Sequence, residues 1–282
     1  MKKNIDQRIF IVGCPRSGTT LLQTLLLQHS DILSFPESHF FTKSQLYDFS
    51  RKLNIKKYIS NIYAYFSLKR WFNILQTKGF ITPSFHYHLF TSGYVNQFID
   101  SLDQNTLYNN KTIWIEKTPS HLYTIKTIQQ YIPDAKFIHL IRRGEDVVAS
   151  LYEATNNYPE IWGKAYTIQD CINRYNKDIS ISKKFKKNKN HFFIDYDMLI
   201  ESLDNIRELY DFLNLKAPNE IKIIPNKSII MEDEKWKNNN LKKKLVNTKN
   251  EKFKKIFSED EQEYITRSIY SFYDNNCKQG KS

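Results

Sequence analysis

Cysteine is scarce in this chain of 282 residues, and the arrangement of its cysteines excludes several classes of protein. The three cysteines are Cys14, Cys171 and Cys277, an odd number at wide spacing. This arrangement has neither the spacing of a zinc site nor that of a disulfide framework. Because disulfides belong to oxidising compartments, we expect a protein of a reducing compartment, the cytoplasm.

Glycine, proline and long apolar runs are also scarce. With 7 glycines and 8 prolines, the sequence has no linker rich in these residues that would divide it. The apolar run after Met1–Asn4 is too short for a signal segment or a membrane span. Hydrophobic residues nevertheless make up 40% of the chain, which excludes disorder throughout. We therefore expect one domain over residues 1–282 and no membrane span.

The formal net charge of +12 leaves three classes of anionic partner open, namely nucleic acid, a membrane surface and a small molecule. The sequence is rich in lysine, asparagine and isoleucine, as an AT-rich coding background would give, so part of the charge is compositional. The densest basic runs, Lys183–Lys187 and Lys242–Lys244, are typical of solvated helix faces and loops. We therefore expect no nucleic-acid partner.

A glycine-containing segment, Gly-Cys-Pro-Arg-Ser-Gly-Thr-Thr, occupies residues 13–20. It follows the apolar run Ile9–Val12 and precedes leucines at helical spacing, which predicts a strand, a loop and a helix. Such a loop presents backbone N–H groups and a helix N-terminus to a phosphate-like anion. In the corresponding loop of nucleotide-hydrolysing proteins, a lysine precedes the final Ser or Thr. Here Thr19 holds that position and Arg16 is the nearby cation, so the usual ATP-handling lysine is missing.

Apolar runs alternate with helical patterns along much of the chain. Beyond the first strand, further strands are predicted at residues 32–35, 112–116, 137–141 and 191–196. This alternation predicts an α/β fold with a doubly wound, mainly parallel sheet flanked by helices. Because ligands of such sheets bind at the carboxyl ends of the strands, we expect the loop, Lys117 and Arg142 to lie close together.

Two segments lie outside this alternation. Residues 41–110 are rich in Tyr, Phe, Asn and Lys and have a helical pattern around 43–76. We interpret them as an insertion that forms either a lid or wall of a binding site, or extra helices packed on the core. The sequence pattern of residues 237–282 predicts basic, amphipathic helices.

Four blocks of the sequence resemble, in the same order, those of sulfotransferases that use 3′-phosphoadenosine 5′-phosphosulfate (PAPS). Residues 13–22 resemble the loop that binds the 5′-phosphosulfate, and residues 137–151 the segment that binds the 3′-phosphate. Residues 116–119, Glu-Lys-Thr-Pro, resemble a block of the carbohydrate and protein-tyrosine sulfotransferases, and residues 195–199 resemble a fourth block. The resemblance implies a P-loop fold and a bacterial-type enzyme.

The implied reaction is an in-line transfer of a sulfuryl group from PAPS to a hydroxyl or amine acceptor. As in phosphoryl transfer, the protein supplies positioning and electrostatic stabilisation. A sulfuryl group carries less negative charge than a terminal phosphate, so a metal clamp is less necessary. We therefore expect no metal cofactor.

The resemblance also implies a donor site. Arg142 and Ser150 would bind the 3′-phosphate, in keeping with the bidentate pairing of arginine and phosphate. Tyr196 would stack on the adenine, although a core position is an equal alternative. A weaker block nearer the C-terminus adds Ser228 to the candidate donor-site residues. Lys235 and Trp236 of the same block are further candidates. The loop residues assigned to the 5′-phosphosulfate are Pro15, Arg16, Ser17, Gly18, Thr19 and Thr20.

One residue departs from the family pattern in this region. The family often has an acidic residue after the first arginine of the 3′-phosphate segment, whereas this chain has Arg143. Two interpretations are open: Arg143 adds positive charge near the site, or it faces solvent, which we favour.

Transfer to a hydroxyl requires a general base. The resemblance favours Glu37, with His39 as the alternative. Lys117 would stabilise the charge of the leaving oxygen together with Arg16, and a lysine is electrostatically unfavourable at a helix start, which favours a functional role. Cys14 is interpreted as a packing residue. The other candidate bases are Glu116, His121 and His139, of which His139 lies in a predicted buried strand and is typical of a core histidine.

The sequence therefore predicts a PAPS-dependent sulfotransferase that releases adenosine 3′,5′-bisphosphate and modifies a small molecule or a glycan. One alternative is a P-loop kinase or another NTP-dependent phosphotransferase, against which the missing loop lysine argues. The other is a non-catalytic protein that binds anions through its basic surface. The presence of Lys117 and Glu37 argues against the latter.

Overall fold

The computed structural model describes residues 4–44, 55–221 and 250–273. Within these ranges the chain forms a five-stranded sheet in which all neighbouring strands are parallel. The strands are β1 (Gln7–Gly13), β2 (Ile32–Phe35), β3 (Ile113–Lys117), β4 (Lys136–Ile141) and β5 (His191–Asp195). Their order in the sheet is β2-β3-β1-β4-β5. The predicted α/β fold with a parallel sheet is confirmed.

Helices connect the strands and cover both faces of the sheet. They are α1 (Thr19–Leu26), α2 (Phe40–Lys43), α3 (Ile55–Thr77), α4 (Thr91–Tyr108), α5 (Ile125–Tyr131), α6 (Gly144–Asn157), α7 (Pro159–Trp162), α8 (Ile168–Lys183), α9 (Tyr196–Glu201), α10 (Arg207–Phe212), α11 (Glu251–Ile256) and α12 (Glu259–Ser268). Two 3-10 turns cover Pro119–Thr124 and Leu203–Ile206. In the part of the chain that the structure describes, no helix is both long and apolar enough to cross a membrane.

The central strand β1 is buried on both faces, and its side chains alternate between two apolar clusters. Phe10 belongs to the cluster that contains Trp71 of α3 and Phe98 of α4. Ile11 belongs to the cluster that contains Leu22 of α1. A parallel strand that helices cover on both faces has a continuous run of apolar residues. The sequence of β1 contains such a run.

The insertion between β2 and β3 contributes α2, α3 and α4. The Trp71 ring of α3 lies 6.0 Å from the Phe35 ring at the end of β2 and 5.4 Å from the Phe98 ring of α4. The predicted helical pattern around residues 43–76 corresponds to most of α3, whereas α4 lies beyond the predicted helix. The inner faces of these helices therefore pack on the core.

The last two helices, α11 and α12, pack against α6 and α8. Phe253 of α11 and Ile265 of α12 are buried in a cluster with Leu151 of α6 and Ile172 of α8. Both helices belong to the predicted basic segment, of which residues 237–249 and 274–282 lie outside the described residues.

Three local predictions differ from the structure. Lys117 is the last residue of β3 and does not follow the strand. Tyr196 begins α9 and is not a strand residue, because the Asp195 carboxylate accepts hydrogen bonds from the first turn of that helix. The helical spacing of apolar residues from Leu199 to Leu213 predicts one helix, but the structure divides this segment into α9, a 3-10 turn and α10, and the Ser202 hydroxyl caps the 3-10 turn.

Candidate active site

Residues 13–20 form a tight turn between β1 and α1. Arg16 and Gly18 have positive φ angles of 75° and 98°, and the Ser17 N–H donates to the Cys14 carbonyl at 3.2 Å. Gly18 is the N-cap of α1, and no side chain of the described residues caps the helix there. The N–H groups at the start of α1, near Thr19 and the half-buried Thr20, are therefore available to an anion, which the helix dipole also favours.

Three predicted donor-site residues meet beside this loop. Arg16 Nε donates a hydrogen bond to Ser150 Oγ of α6 at 3.0 Å. Arg142, which follows β4, donates from Nη1 to the Arg16 carbonyl at 3.3 Å. Arg142 Nε is buried and has no hydrogen-bond partner among the described residues. Because a buried charged donor without a partner is unfavourable, this atom indicates a place for an anionic ligand.

Tyr196 lies against both the loop and Arg142. The guanidinium carbon of Arg142 is 4.3 Å from the centroid of the Tyr196 ring, within the range of a cation–π interaction. The same ring is in contact with Gly18 of the loop. Tyr196 is half-buried, so its ring borders the site and also packs on the protein.

Arg143 does not simply face solvent, and that prediction is wrong. Its guanidinium contacts Asp146 at 3.3 Å and Asp197 at 4.0 Å, and it donates a hydrogen bond to Asn250. These partners lie on α6, on α9 and at the start of α11. Arg143 thus joins three segments at the edge of the loop site.

Glu37 and Lys117 form an ion pair next to the loop. Lys117 Nζ donates a hydrogen bond to Glu37 Oε1 and lies 3.5 Å from Thr20 Oγ1. The two side chains are only 2% and 10% exposed, Lys117 being the more buried. A carboxylate and an ammonium at low exposure each stabilise the charged form of the other. The structure therefore places these two of the three predicted catalytic residues together at the carboxyl edge of the sheet.

His39 lies beside this pair and is more accessible than either of its members. Its Nε2 is 3.3 Å from Glu37 Oε2, and its side chain is 32% exposed. The φ angle of His39 is 51°, a left-handed conformation that is uncommon outside glycine. Both Glu37 and His39 are thus placed near the loop, and the choice between them as general base stays a prediction.

Glu116 and His121 are buried below the turn that carries Glu37. Glu116 Oε1 accepts hydrogen bonds from Ser38 N at 3.0 Å, from Ser38 Oγ at 2.7 Å and from Thr118 Oγ1 at 2.5 Å. His121 Nδ1 lies 2.8 Å from Glu116 Oε2. Burial by itself raises the pKa of Glu116, but His121 and the hydrogen bonds from His121, Thr118 and Ser38 outweigh it and lower that pKa. These residues hold the turn in place, and their burial separates them from an acceptor.

The sequence profile of the sulfotransferase family matches residues 8–219 of this chain. The match begins in β1, runs past the end of α10 and includes every residue of the site described above except Asn250, the partner of Arg143. The chain belongs to the sulfotransferase family.

Solved sulfotransferases share the fold of this one. The sulfotransferase domain from the curacin biosynthetic pathway superposes with a TM-score of 0.57 at 18% identity, covering 95% of this chain and 99% of its own. The domain from the olefin synthase of Synechococcus PCC 7002 gives 0.54 at 18% identity, with 94% of each chain covered. Mouse sulfotransferase SULT7A1, solved in complex with PAP, gives 0.50 at 12% identity and covers 94% of this chain and 84% of its own. No curated protein sequence matches the chain significantly.

Sequence motifs did not indicate three residues that support the sulfotransferase site. Tyr175 of α8 donates from its hydroxyl to the Arg142 carbonyl at 3.1 Å. Asp178 of the same helix accepts hydrogen bonds from the Tyr123 hydroxyl and from Arg174. Arg70 of α3 donates from Nη1 to the Ser38 carbonyl at 3.0 Å. In the sequence these residues belong to ordinary helical patterns, so only their contacts reveal them.

Two other candidates are core residues of the sulfotransferase. His139 is fully buried in β4 and forms hydrogen bonds with Ser182 and His191, as predicted for a core histidine. Cys14 is 3% exposed. Burial and the neighbouring Asp178 raise the pKa of the Cys14 thiol well above its ordinary value. This thiol is therefore protonated near neutral pH, in keeping with a packing role.

The predicted residues of the weaker block nearer the C-terminus, Ser228, Lys235 and Trp236, lie outside the described residues. Across the described ranges, no group of three or more His, Cys, Asp or Glu side chains is arranged to hold a metal ion.

Proposed function

We propose that this sulfotransferase uses PAPS and transfers the sulfuryl group to a hydroxyl or amine of a small-molecule or glycan acceptor. The observation that carries the proposal is the meeting of Arg16, Arg142 and Ser150 beside the uncapped start of α1. The fold shared with a mouse sulfotransferase solved in complex with PAP supports the choice of nucleotide.

The residues present fit an adenosine bisphosphate with two separate anionic groups. Arg16 and the N–H groups of the loop would bind the 5′-phosphosulfate. Arg142 and Ser150 would bind the 3′-phosphate, which gives the buried Arg142 Nε a partner. Tyr196 offers a ring face beside Arg142 for the adenine.

The catalytic roles follow from the pair of Glu37 and Lys117. Bound PAPS supplies an electrophilic sulfur with a phosphate leaving group. Glu37 would accept the acceptor proton as the acceptor oxygen or nitrogen bonds to sulfur. Lys117 lies between Glu37 and Thr20 and would stabilise the charge that develops on the departing bridging oxygen.

A thermal-shift titration tests the donor site directly. A ligand that binds only the folded state raises Tm by mass action. We expect a clear rise in Tm with adenosine 3′,5′-bisphosphate, a weak one with Mg-ATP, and no rise with the bisphosphate in Arg142→Ala. Arg207→Ala is the matched control, because Arg207 is 45% exposed and pairs with Asp204 on the surface.

Other outcomes would contradict the proposal. A shift with Mg-ATP alone would favour a P-loop phosphotransferase. No shift with either nucleotide, together with salt-dependent binding of polyanions, would favour a non-catalytic anion-binding protein. If the bisphosphate stabilised Arg142→Ala as strongly as the unmodified protein, the assignment of the 3′-phosphate site would be wrong.

A further inference from the structure

Helix α3 extends past the carboxyl edge of the sheet. Near its C-terminal end, Lys78 lines one cavity together with Leu33 and Ser34 of β2. Two turns earlier, Arg70 bonds to the carbonyl of Ser38, which lies beyond the end of β2. The helix therefore runs opposite to the strands. The turns of α3 that precede Arg70 therefore lie beyond the carboxyl edge of the sheet, the edge at which Glu37 lies.

Tyr63 and Phe66 lie on the same flank of α3 as Arg70. The three residues are spaced i, i+3 and i+7, which places them on one side of a helix. Tyr63 is 41% exposed and Phe66 is 59% exposed. With a rise of about 1.5 Å per residue, Tyr63 lies roughly 10 Å beyond Arg70 along the helix axis. We call Tyr63 and Phe66 the aromatic flank.

The rest of α3 has other contacts. Its inner face, with Leu68 and Trp71, is buried in the core. The half-buried Tyr65 lies next to Phe66, with the two rings edge to face at 5.0 Å, and its ring stacks on that of Tyr87 at 5.9 Å. The aromatic flank is thus exposed apolar surface on the side of α3 that carries Arg70, whose side chain bonds to the residue after Glu37.

We propose that the aromatic flank binds the apolar chain of an acceptor alcohol, so that the enzyme prefers acceptors with an extended alkyl chain. The inference rests on the proposed function and specifies its acceptor. An acceptor whose hydroxyl lies at Glu37 would extend past Arg70 onto Phe66 and Tyr63, so that the flank continues the proposed catalytic site. These rings offer apolar area and a single hydroxyl, which suits an alkyl chain and does not meet the many hydrogen-bonding groups of a sugar.

The reaction would yield an alkyl sulfate. A bond forms between the alcohol oxygen and sulfur while the bond from sulfur to the bridging phosphate oxygen breaks. The alcohol proton passes to Glu37, and adenosine 3′,5′-bisphosphate leaves with the electron pair of the broken bond.

The test uses the full chain, PAPS and three acceptors, 1-butanol, 1-hexanol and 1-octanol. We expect kcat/KM to rise about twofold per added methylene, because one side of the alkyl chain is covered by the helix. Tyr63→Ser and Phe66→Ser should each lower the ratio of octanol to butanol activity by roughly threefold or more. Tyr108→Ser is the matched control, since Tyr108 is an exposed tyrosine at the end of α4, shortly before β3 begins and so at the other edge of the sheet, and it should keep the wild-type ratio.

Saturation-transfer NMR of 1-octanol and 1-butanol, with adenosine 3′,5′-bisphosphate present, gives a readout that needs no turnover. Preferential binding of octanol that is lost in the two flank variants supports the proposal. A chain-length effect that is absent, or that survives both flank variants, overturns it. So does a preference for methyl glucoside over 1-octanol that depends on Tyr63. A failed donor titration would instead overturn the proposed function, and the two failures are therefore distinguishable.

Discussion

The ring of Tyr196 lies directly over Gly18, so that a Cβ at residue 18 would be 2.4 Å from Tyr196 Cε2. The guanidinium of Arg142 lies against the same ring, 4.3 Å from its centroid. One aromatic side chain thus contacts both the loop after β1 and the arginine after β4. The glycine is required by its φ angle of 98° and also by this contact.

Gly18→Ala should weaken donor binding. The added methyl group would displace the Tyr196 ring and shift the loop, so we expect at least about a tenfold rise in the KM for PAPS, comparable to the loss of one good contact. The matched control is Gly79→Ala, because Gly79 also has a positive φ of 75° but would meet no atom within 4 Å. Steady-state kinetics with PAPS provide the measurement. Equal KM values for the two variants would mean that the contact between the loop and Tyr196 is not needed.

Glu37→Gln should abolish most turnover without loss of donor binding. The amide keeps the shape of the side chain but cannot accept a proton, so kcat should fall by about 10²–10⁴. The rise in Tm with adenosine 3′,5′-bisphosphate should persist. His39→Gln removes the neighbouring imidazole and should have the smaller effect on kcat. A larger loss in His39→Gln than in Glu37→Gln would identify His39 as the base.

Asp178→Asn should destabilise the fold, because Asp178 is 1% exposed and accepts hydrogen bonds from Tyr123 and Arg174. The amide leaves the buried contacts partly unsatisfied, and we expect a loss of about 1–3 kcal/mol in the free energy of unfolding. Asp204→Asn is the matched control, since Asp204 pairs with Arg207 at 71% exposure, and such a pair contributes at most about 1 kcal/mol. Urea unfolding measures both. Equal losses would show that the Asp178 contacts add nothing beyond a surface pair.

The buried pair of His139 and His191 should make the protein sensitive to acid. Burial lowers the pKa of His191 to about 4, and burial together with His191 lowers the pKa of His139 well below its ordinary value of 6.5. Below pH 6.5 the unfolded chain therefore binds protons that the folded chain does not. The free energy of unfolding should fall as the pH is lowered from 6.5 towards 4.

Urea unfolding at several pH values between 7 and 4.5 tests this expectation. His139→Asn should reduce the dependence of the unfolding free energy on pH, whatever its effect at neutral pH. His86→Asn is the control, because His86 is exposed, and it should keep the wild-type dependence. The same slope in all three proteins would mean that other groups cause the acid sensitivity.

Much of the fold follows from local sequence features. The apolar runs of β1 and β4 predict buried parallel strands, and the glycines around Arg16 predict the turn between β1 and α1. Since parallel strands end at one edge, the sequence also predicts that Lys117 and Arg142 lie near the loop, and the contacts of Lys117 with Thr20 and of Arg142 with Arg16 confirm this. These features depend on hydrophobic period and turn chemistry, which act over a few residues.

Only the tertiary structure decides which side chains meet. The pairing of Arg16 with Ser150 joins residues 134 apart, and that of Lys117 with Glu37 joins residues 80 apart. The partners of Arg143 belong to α6, α9 and the start of α11, and its sequence position alone predicted a solvent-facing side chain. The exposed flank of Tyr63 and Phe66 likewise depends on which side of α3 the core covers. Such contacts form only when elements distant in the sequence pack together. Their free energy depends on both partners, so it cannot be deduced from the sequence of either segment alone.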